Sequence, residues 1–348
     1  MEEVVIIGGG VAGLSCLNAL LDRNISALLL EGSVIGAPKM CGEFIAPAVI
    51  PTLENWGVSS IQTIKTANFY SQNKLFNFIF PLAAGGYSRS EIEIQLYKRA
   101  LKLNGRIKEN FKIIKTVPAT HTTPYIFTSE TGIEIVAKTA IFAAGKYFQP
   151  ATLTNQKTYA GIKFHLETII EPESLLMFSL PNAYLGFVPI TEAQSNCACL
   201  FKIHHDEKID FESHFYNMVS QHRILQAIFS DKNIQMTNWL EGVAVDFGLK
   251  NLPNWPQAYW IGDTLASLHP AIGSGLAHSV SSALLAAEHY SINQSAQYRR
   301  LSTKNVKTKL HIGKLMHTLL QYPKLGDFAI PFVQSQKWIL NLMLNKIL

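Results

Sequence analysis

The chain has 348 residues, of which 48% are hydrophobic and 16% charged, so it can form about two compact domains and is not expected to be disordered. Its 30 Lys and Arg residues against 25 Asp and Glu residues leave a small, scattered positive excess, which gives no reason to expect a nucleic-acid partner. No apolar run reaches the roughly 18 residues of a membrane span, and no secretory leader is recognisable. We therefore expect a cytoplasmic protein whose four cysteines stay reduced.

The N-terminal segment predicts a β-α-β unit. A β-branched strand, Val4–Ile7, is followed by a glycine turn, by helical spacing of apolar residues over Val11–Arg23, and by a buried strand, Ser26–Leu30. Such a unit is right-handed and forms part of a parallel sheet.

The glycine turn has the spacing of a dinucleotide-binding site. Gly8, Gly10 and Gly13 form G-x-G-x-x-G. The first glycine permits the tight turn, the second lets a pyrophosphate approach the backbone, and the third lets the helix pack on the strand. Glu31 ends the second strand, where a carboxylate accepts hydrogen bonds from the ribose hydroxyls. The motif predicts a dinucleotide but does not distinguish NAD from FAD.

The rest of the chain alternates between strand and helix patterns. Strands are predicted over Ala67–Phe80, Lys112–Lys138, Thr139–Ala144, Tyr159–Glu167, Leu175–Leu180, Tyr184–Pro189, Cys197–His204 and Gln257–Ile261. Helices are predicted over Ser90–Leu103, Asp210–Phe229, Gly275–Ser291 and, broken at Pro323 and Pro331, over Leu301–Leu348.

A late segment favours FAD over NAD. Gly262–Thr264 ends a predicted strand, and His269-Pro270 and Gly273–Leu276 follow it before a helix of small residues. These motifs resemble those of the flavoprotein monooxygenases of the p-hydroxybenzoate hydroxylase fold, and within them the geranylgeranyl-reductase-like branch. Lys39–Glu43 and Arg89–Glu93 resemble two further motifs of that branch, with Glu93 where Asp is usual. The resemblance covers about residues 1–290 and is most specific at Gly8–Gly13 and at Gly262.

The resemblance implies an α/β fold, with a Rossmann-like FAD domain, an inserted antiparallel substrate sheet (an α+β insert) and C-terminal helices. The predicted limits are 1–65, 88–150 and 246–300 for the FAD domain, 66–87 and 151–245 for the substrate domain, and 301–348 for the C-terminal helices.

The resemblance also implies the cofactor contacts. Asp263 would hold the ribityl chain, and the backbone N–H groups of Gly275 and Leu276 would face the flavin N1–O2 edge, where a helix N-terminus stabilises the negative charge of reduced flavin. Arg89 would lie near the phosphates or the ribityl chain. The full set of predicted FAD contacts is Gly8, Gly10, Val11, Ala12, Gly13, Glu31, Gly32, Lys39, Cys41, Gly42, Arg89, Val117, Ala144, Gly145, Gly262, Asp263, Pro270, Gly273, Gly275 and Leu276.

One departure from the family pattern concerns the electron donor. Hydroxylases of this fold usually carry Asp-Gly at the end of the strand that here ends in Ala144-Gly145-Lys146, and that pair helps to dock NAD(P)H. The sequence has no second glycine fingerprint for a nicotinamide domain. Electrons are therefore expected from NAD(P)H that docks transiently or from a reductase partner.

Few side chains are candidates for the chemistry, because a flavin carries out the difficult steps itself. Cys41 and His269 are the candidate catalytic residues, with a buried thiol and a satisfied loop histidine as the alternatives. His165 and Tyr184, on predicted substrate-sheet strands, are candidate substrate contacts, although a half-buried sheet face also explains both. The run His204–Asp206 lacks the spacing of a metal site, so no metal is predicted.

The C-terminal stretch Trp338–Leu348 carries an apolar stripe with Lys337 and Lys346. Packing on the protein itself is favoured over contact with a membrane surface or a cap on a lipophilic cavity.

The sequence thus predicts an FAD-dependent oxidoreductase. The leading reaction is monooxygenation of an apolar small molecule of aromatic, polyketide-like or isoprenoid type. Reduction of a double bond, as in geranylgeranyl reductases, is the alternative that the Lys39–Glu43 loop favours. A non-redox cyclase resembling lycopene cyclases and a flavin-binding protein without activity stay open. Halogenation is disfavoured because the sequence has no W-x-W-x-I-P motif.

Overall fold

The computed structural model describes residues 1–147, 159–203, 209–232, 234–244 and 247–336, together with residues 338, 344 and 346. The run His204–Asp206 and most of the Trp338–Leu348 stripe lie outside the described residues.

The described strands, in chain order, are β1 (Glu2–Ile7), β2 (Leu28–Leu30), β3 (Phe44–Ile45), β4 (Gln62–Tyr70), β5 (Leu75–Gly86), β6 (Arg106–Lys108), β7 (Ile113–Val117), β8 (Tyr125–Ser129), β9 (Glu134–Phe142), β10 (Tyr159–Leu166), β11 (Ser174–Leu180), β12 (Ala183–Pro189), β13 (Ser195–Lys202), β14 (Met236–Ala244), β15 (Gly248–Leu249), β16 (Ala258–Trp260) and β17 (Ala266–Ser267). The described α-helices are α1 (Val11–Leu21), α2 (Ile50–Asn55), α3 (Arg89–Lys102), α4 (Phe211–Ser220), α5 (Arg223–Ser230), α6 (Gly275–Ser291), α7 (Ser295–Gln321) and α8 (Pro323–Ser335). Short 3-10 helices span Pro47–Val49, Gly145–Tyr147, Gly262–Thr264 and Pro270–Ile272.

The first sheet contains the predicted β-α-β unit. Its order is β6-β2-β1-β9-β8-β7, with β16 beside β9, and β1 runs parallel to β2 and to β9. Side chains of β1 alternate between two cores, since Val4 packs on the α1 side and Val5 on the opposite side. Burial on both faces explains why this strand is a continuous apolar run rather than an alternating one.

The second sheet has the order β14-β10-β13-β12-β11-β4-β5-β3. One face packs on α4 and α5 through alternate residues such as Ile162, Phe164 and Phe178. The opposite face, here called the inner face, carries the residues in between, and Gly161 on that face lies against Met40. The inner face contacts the loop that contains Lys39–Glu43. The predicted fold class, a Rossmann-like sheet with an inserted second sheet and C-terminal helices, is confirmed.

Two predicted helix boundaries are wrong. Asp210–Phe229 is not one helix, because the backbone of His222 is extended and its ring packs on Phe178, which separates α4 from α5. Pro331 does not break the last helix but lies inside α8. A proline there removes one backbone hydrogen bond, and the buried Ile330 beside it keeps the helix on the protein.

The predicted domain limits stay predictions, although β4 runs across the one at residues 65 and 66. Among the described helices, none combines the length and the apolar character that crossing a membrane requires.

Candidate cofactor and substrate site

The G-x-G-x-x-G turn adopts a conformation that only glycine allows. Gly8 has φ of +108°, and a Cβ there would lie 2.4 Å from the carbonyl oxygen of Ala143. A Cβ on Gly13 would lie 1.8 Å from the carbonyl oxygen of Gly8. These contacts join β1, the start of α1 and the end of β9 in one tight corner, so the two glycines are required by the backbone itself.

Glu31 closes the same corner at the end of β2. Its carboxylate accepts hydrogen bonds from the backbone N–H of Gly9 at 2.5 Å and from the backbone and hydroxyl of Ser33 at 3.0 and 2.7 Å. Burial raises the pKa of Glu31, but these hydrogen bonds outweigh it and the pKa lies below its ordinary value. The group is therefore an ionised acceptor at neutral pH, as contact with ribose hydroxyls requires.

The late Gly262 segment meets the N-terminal turn directly. Gly262 has φ of +56°, and a Cβ there would lie 2.8 Å from the Cβ of Ala12 in α1. Its N–H donates to Ser282 Oγ at 2.9 Å, and its carbonyl oxygen lies 3.1 Å from Nε2 of His278. Two α6 side chains thus fix the turn that presents Asp263 beside α1.

The two helices that begin at these turns have open N-termini. In the described residues no side chain caps α1 or α6, and neither first turn contains an acidic residue. A Cβ on Gly42, Gly145 or Gly275 would meet no described atom within 4 Å. The chain therefore presents helix N-termini and glycine-lined backbone to open space, an arrangement that suits an anionic, flat ligand.

Arg89, at the start of α3, extends over the nucleotide turn. A Cβ on Gly10 would lie 3.4 Å from its Nη2. Its Nε donates to Glu93 at 2.9 Å, and Lys39 Nζ donates to the other oxygen of the same carboxylate at 3.1 Å. The fully buried Glu93 thus holds two cations beside the turn, and the cluster has one net positive charge for an approaching phosphate.

Asp263 lies near three basic groups, of which the sequence singled out Arg89 but not His278 or Lys250. Burial lowers the pKa of Arg89, but Glu93 and, to a smaller extent, Asp263 outweigh it and raise the pKa. The charge of Asp263 also acts to raise the pKa of His278 and of Lys250. Burial is the larger influence on His278 and Lys250, and it leaves their pKa values below the ordinary ones. Lys250 Nζ donates to the carbonyl oxygen of Lys146 at 2.9 Å, which ties the Gly145 turn to the Asp263 turn.

The remaining predicted cofactor contacts lie at or near this corner in most cases. Val11, Ala12 and Leu276 are buried in the first turns of α1 and α6. Ala144 follows β9, Gly32 lies against Lys112, Pro270 begins a 3-10 helix and Gly273 ends it with φ of +61°. Val117 is different, because it lies half-exposed at the end of β7, at the outer edge of the first sheet.

Glu43, Lys163 and His165 form a buried ionic cluster that sequence reasoning missed. Oε1 of Glu43 accepts from Lys163 Nζ at 2.6 Å and from the backbone N–H of Arg89 at 2.9 Å, and Oε2 lies 2.9 Å from His165 Nε2. The Glu43 side chain is fully buried, and its backbone has φ of +57°, which is strained for a residue other than glycine. Burial raises the pKa of Glu43, but His165 and Lys163 outweigh it and lower the pKa.

This cluster fastens the segment Lys39–Glu43 to the inner face of the second sheet. His165 therefore contacts the Lys39–Glu43 segment, whereas Tyr184 lies in the apolar part of the inner face. The sequence did contain a signal for this cluster. Lys163 and His165 lie two residues apart in an otherwise apolar strand, so both side chains are on the same face and require a polar partner there.

An aromatic ladder covers the inner face near the Gly273 turn. Phe44 lies against Gly273, where a Cβ would be 2.6 Å from its ring. Ring centroids continue from Phe44 to Phe80 at 5.8 Å, to Phe78 at 5.0 Å and to Phe69 at 5.9 Å. The ladder gives the surface beneath the late glycine loop an apolar wall.

His269 and Tyr184 come together around a third residue, His317 of α7. The rings of His269 and His317 lie 4.7 Å apart, and those of Tyr184 and His317 lie 5.6 Å apart. Nδ1 of His317 lies 3.4 Å from the Tyr184 hydroxyl, while Nε2 of His317 and Nδ1 of His269 are buried with no hydrogen-bond partner in the described residues. Burial lowers the pKa of each histidine to about 4, so both rings are neutral at pH 7.

This histidine pair should make the protein less stable in mild acid. An unfolded histidine titrates near pH 6.5, whereas His269 and His317 titrate at about pH 4 in the folded chain. Between these values the unfolded chain binds more protons, so the melting temperature is expected to fall as the pH drops from about 6.5 to about 4. The variant His317→Phe should show a shallower fall over that range, and an unchanged slope would contradict the assignment.

Cys41 lies half-buried in the Lys39–Glu43 segment. Burial raises its pKa, and its Sγ accepts a hydrogen bond from the backbone N–H of Glu43 at 3.3 Å. A protonated thiol is a weak nucleophile, so the surroundings of Cys41 favour a packing role. In the described residues, no three His, Cys, Asp or Glu side chains gather into a possible metal site.

The fold of this chain is similar to that of several solved proteins. A triple mutant of the flavin-dependent brominase Bmp2 superposes with a TM-score of 0.82 at 14% identity, over 99% of this chain and 94% of that one. A geranylgeranyl bacteriochlorophyll reductase-like protein from Thermoplasma acidophilum gives 0.76 at 15% identity, over 95% and 91%. The myxobacterial chondrochloren halogenase CndH, described as FAD-dependent, gives 0.75 at 14% identity, over 91% and 81%. No family model matches the chain, and no curated protein matches it in sequence.

Proposed function

We propose that this protein is an FAD-dependent oxidoreductase. The observation that carries the proposal is the contact between Gly262 and Ala12, which brings the dinucleotide turn and the late glycine segment to one corner. A nicotinamide dinucleotide site needs only the first of these turns, whereas a flavin dinucleotide that spans both uses both. Solved flavin-dependent enzymes with the same fold, one of them described as FAD-dependent, support this proposal.

The residues present fit this cofactor, and each has a distinct role. Glu31 would accept hydrogen bonds from the ribose, and the α1 N-terminus with Arg89 would bind the phosphates. Asp263 would hold the ribityl chain, and the α6 N-terminus would stabilise negative charge at the pyrimidine end. Bound FAD would supply two-electron redox chemistry and, when reduced, reactivity toward oxygen.

The preferred reaction is oxygen-dependent attack on an apolar, ring-containing small molecule. The ladder of Phe44, Phe80, Phe78 and Phe69 gives such a substrate a surface to stack on, and it excludes water from the space beneath the late glycine loop. His269 and His317 offer uncharged hydrogen-bonding groups beside this wall, so a substrate with one polar substituent would suit the site.

Two other reactions have specific support. Reduction of a double bond is favoured by the Lys39–Glu43 segment and by the reductase-like neighbour. Halogenation is favoured by the brominase and halogenase neighbours but not by the sequence, which has no W-x-W-x-I-P motif. The cyclase and the inactive flavin-binding protein differ from all of these because neither consumes reducing equivalents.

The first test is whether the purified protein is yellow. We expect it to carry FAD or to bind added FAD with the visible spectrum of an oxidised flavin, and a protein that stays colourless and binds only NAD would refute the proposal. Dithionite-reduced protein is then mixed with a panel of phenols, polyketide-like aromatics and prenyl alcohols, with and without oxygen and with and without bromide. A product that requires oxygen but not bromide supports the monooxygenase. A product formed without oxygen indicates the reductase if it carries two more hydrogens than the substrate, and the cyclase if it is an isomer of the substrate. A product that requires bromide indicates the halogenase.

The electron donor is tested separately, because Ala144 replaces the acid that helps to dock nicotinamide in this fold. We expect NADH and NADPH to reduce the bound flavin slowly and a flavin reductase partner to reduce it faster. Rapid stoichiometric reduction of the flavin by NADPH alone would refute the need for a reductase partner and would indicate that NADPH docks directly.

A further inference from the structure

The positive charge of this protein is concentrated in helix α7 and in the residues that follow α8. Residues 295–348 contain nine Lys and Arg and a single acidic residue, a net charge of +8. Residues 1–294 contain 21 Lys and Arg against 24 Asp and Glu, a net charge of −3. The overall charge of +5 is therefore distributed very unevenly along the chain.

Helix α7 presents much of this charge on one exposed face. Arg300, Lys304, Lys307, His311 and Lys314 are all exposed and recur every three or four residues, which places them on one side of the helix. A surface groove with Arg299 and Thr303 in its lining runs beside the first three of these residues. We call this set the basic stripe.

Helix α8 carries an exposed apolar stripe. Leu325, Phe328 and Phe332 follow helical spacing and are 48%, 84% and 59% exposed. Phenylalanine side chains this exposed are unusual on a water-facing helix, because each loses the free energy that burial would provide. We call these three residues the apolar stripe.

The outward orientation of the apolar stripe is fixed by contacts on the opposite side of α8. Asp327 accepts hydrogen bonds from the Ser71 hydroxyl and from the backbone and side chain of Asn73, at 3.1 and 2.9 Å for Asn73. A Cβ on Gly326 would lie 3.1 Å from Ser71, and Ile330 is buried. The helix cannot rotate to bury Phe328 and Phe332 without breaking these contacts.

The apolar surface extends onto the neighbouring edge of the second sheet. Leu75, Ile79 and Leu82 of β5 are 45%, 73% and 71% exposed. Gln334 of α8 lies with its Nε2 3.5 Å from the carbonyl oxygen of Leu75, so the helix and the strand edge are neighbours. Lys74 and Lys324 flank this area. Burial raises the pKa of Asp327, but the hydrogen bonds from Ser71 and Asn73 and the charge of Lys74 outweigh it and lower the pKa.

We propose that α7 and α8 form a docking face for an anionic lipid membrane, on which the protein lies without crossing it. Exposed aromatic and leucine side chains beside lysines are the features by which a helix binds the interface of a bilayer. The net negative charge of residues 1–294 would be repelled by the same surface and would turn the basic stripe of α7 toward it. An acidic soluble protein would match the basic stripe but would leave the apolar stripe without a role.

Vesicle flotation tests this proposal and requires no catalytic activity, so its outcome is independent of the proposed function. The protein is mixed with phosphatidylcholine vesicles, or with vesicles containing about one third phosphatidylglycerol, at low and high salt. We expect flotation with the anionic vesicles, reduced by high salt. The variants Phe328→Ser/Phe332→Ser and Lys304→Glu/Lys307→Glu should each lower the bound fraction about tenfold or more.

A matched control removes exposed apolar residues elsewhere. Ile114 of β7 and Ile133, in the turn before β9, are 64% and 49% exposed, and Ile114→Ser/Ile133→Ser should float like the wild type. Melting curves of all variants confirm that each is folded. The proposal is overturned if the wild type floats with neither vesicle, or if the phenylalanine and isoleucine variants float equally well. It is also overturned if the apolar stripe instead joins two copies of the chain, seen as a dimer that Phe328→Ser/Phe332→Ser converts to a monomer that floats unchanged.

Discussion

Replacing Glu43 with Gln is expected to lower the free energy of unfolding by about 3 to 5 kcal/mol, because Lys163 then keeps its buried charge without a counter-ion. Glu43 is the only acidic group within hydrogen-bond distance of Lys163 in the described residues, and both side chains are almost completely buried. The amide oxygen of the new side chain could still accept from the backbone of Arg89, so the loss would report mainly on the missing charge. Urea unfolding followed by circular dichroism measures it.

A double variant distinguishes charge from packing at this site. Lys163→Met alone should also destabilise the chain, because the buried carboxylate of Glu43 then loses its lysine partner and keeps only His165. In Glu43→Gln/Lys163→Met no buried charge is left without a partner, so at least half of the lost stability should return. If the two single effects simply add in the double variant, the ion pair is not the source of the stabilisation.

Replacing Gly13 with Ala is expected to reduce FAD affinity on the order of a hundredfold, which corresponds to about 2.7 kcal/mol. The new Cβ would lie 1.8 Å from the backbone oxygen of Gly8, so α1 must move away from β1. The N-terminus of α1 moves with it and no longer faces the phosphates. Titration of apoprotein with FAD, followed by quenching of flavin fluorescence, measures the change.

Gly275 provides the matched control for Gly13. A Cβ at Gly275 meets no described atom within 4 Å, and the residue begins α6, where Ala stabilises a helix by about 0.5 to 1 kcal/mol over Gly. The apoprotein of Gly275→Ala should therefore melt no lower than the wild type. Its FAD affinity should still fall about tenfold if the flavin ring fills that space. An unchanged affinity would mean that no cofactor approaches this part of the backbone.

The sequence predicted the parts of the fold that depend on local pattern. The spacing of residues alone predicted β1, its glycine turn and the place of Glu31. Each glycine is required by the backbone of the turn, and the acid stands at the end of the second strand. The meeting of Gly262 with the first turn was expected only through the family resemblance, since no local property connects two segments so far apart.

The residues that the sequence did not reveal depend on tertiary contacts. Lys163 and Glu43 are 120 residues apart, and only the pairing of the second sheet with the Lys39–Glu43 loop brings them together. The contact of His317 with His269 and Tyr184 was not predicted, because no pattern in the sequence shows that α7 packs on the inner face. The hydrogen bond between His165 and Glu43 was not expected, and the prediction that His165 contacts substrate stays a prediction.

The order of pairing in the first sheet has a consequence for biosynthesis. β9 lies between β1 and β16, so the sheet joins strands from the beginning, the middle and the last third of the chain. A nascent polypeptide that has emerged only through β9 already displays the dinucleotide turn but has neither Asp263 nor α6. Strands so far apart in the sequence pair slowly, because closing the long intervening loop costs entropy. β1 and β9 therefore lack their last neighbour, β16, until the final third of the chain has been synthesised. Cofactor loading should therefore follow translation, and a host with little free flavin should accumulate complete apoprotein rather than truncated chains.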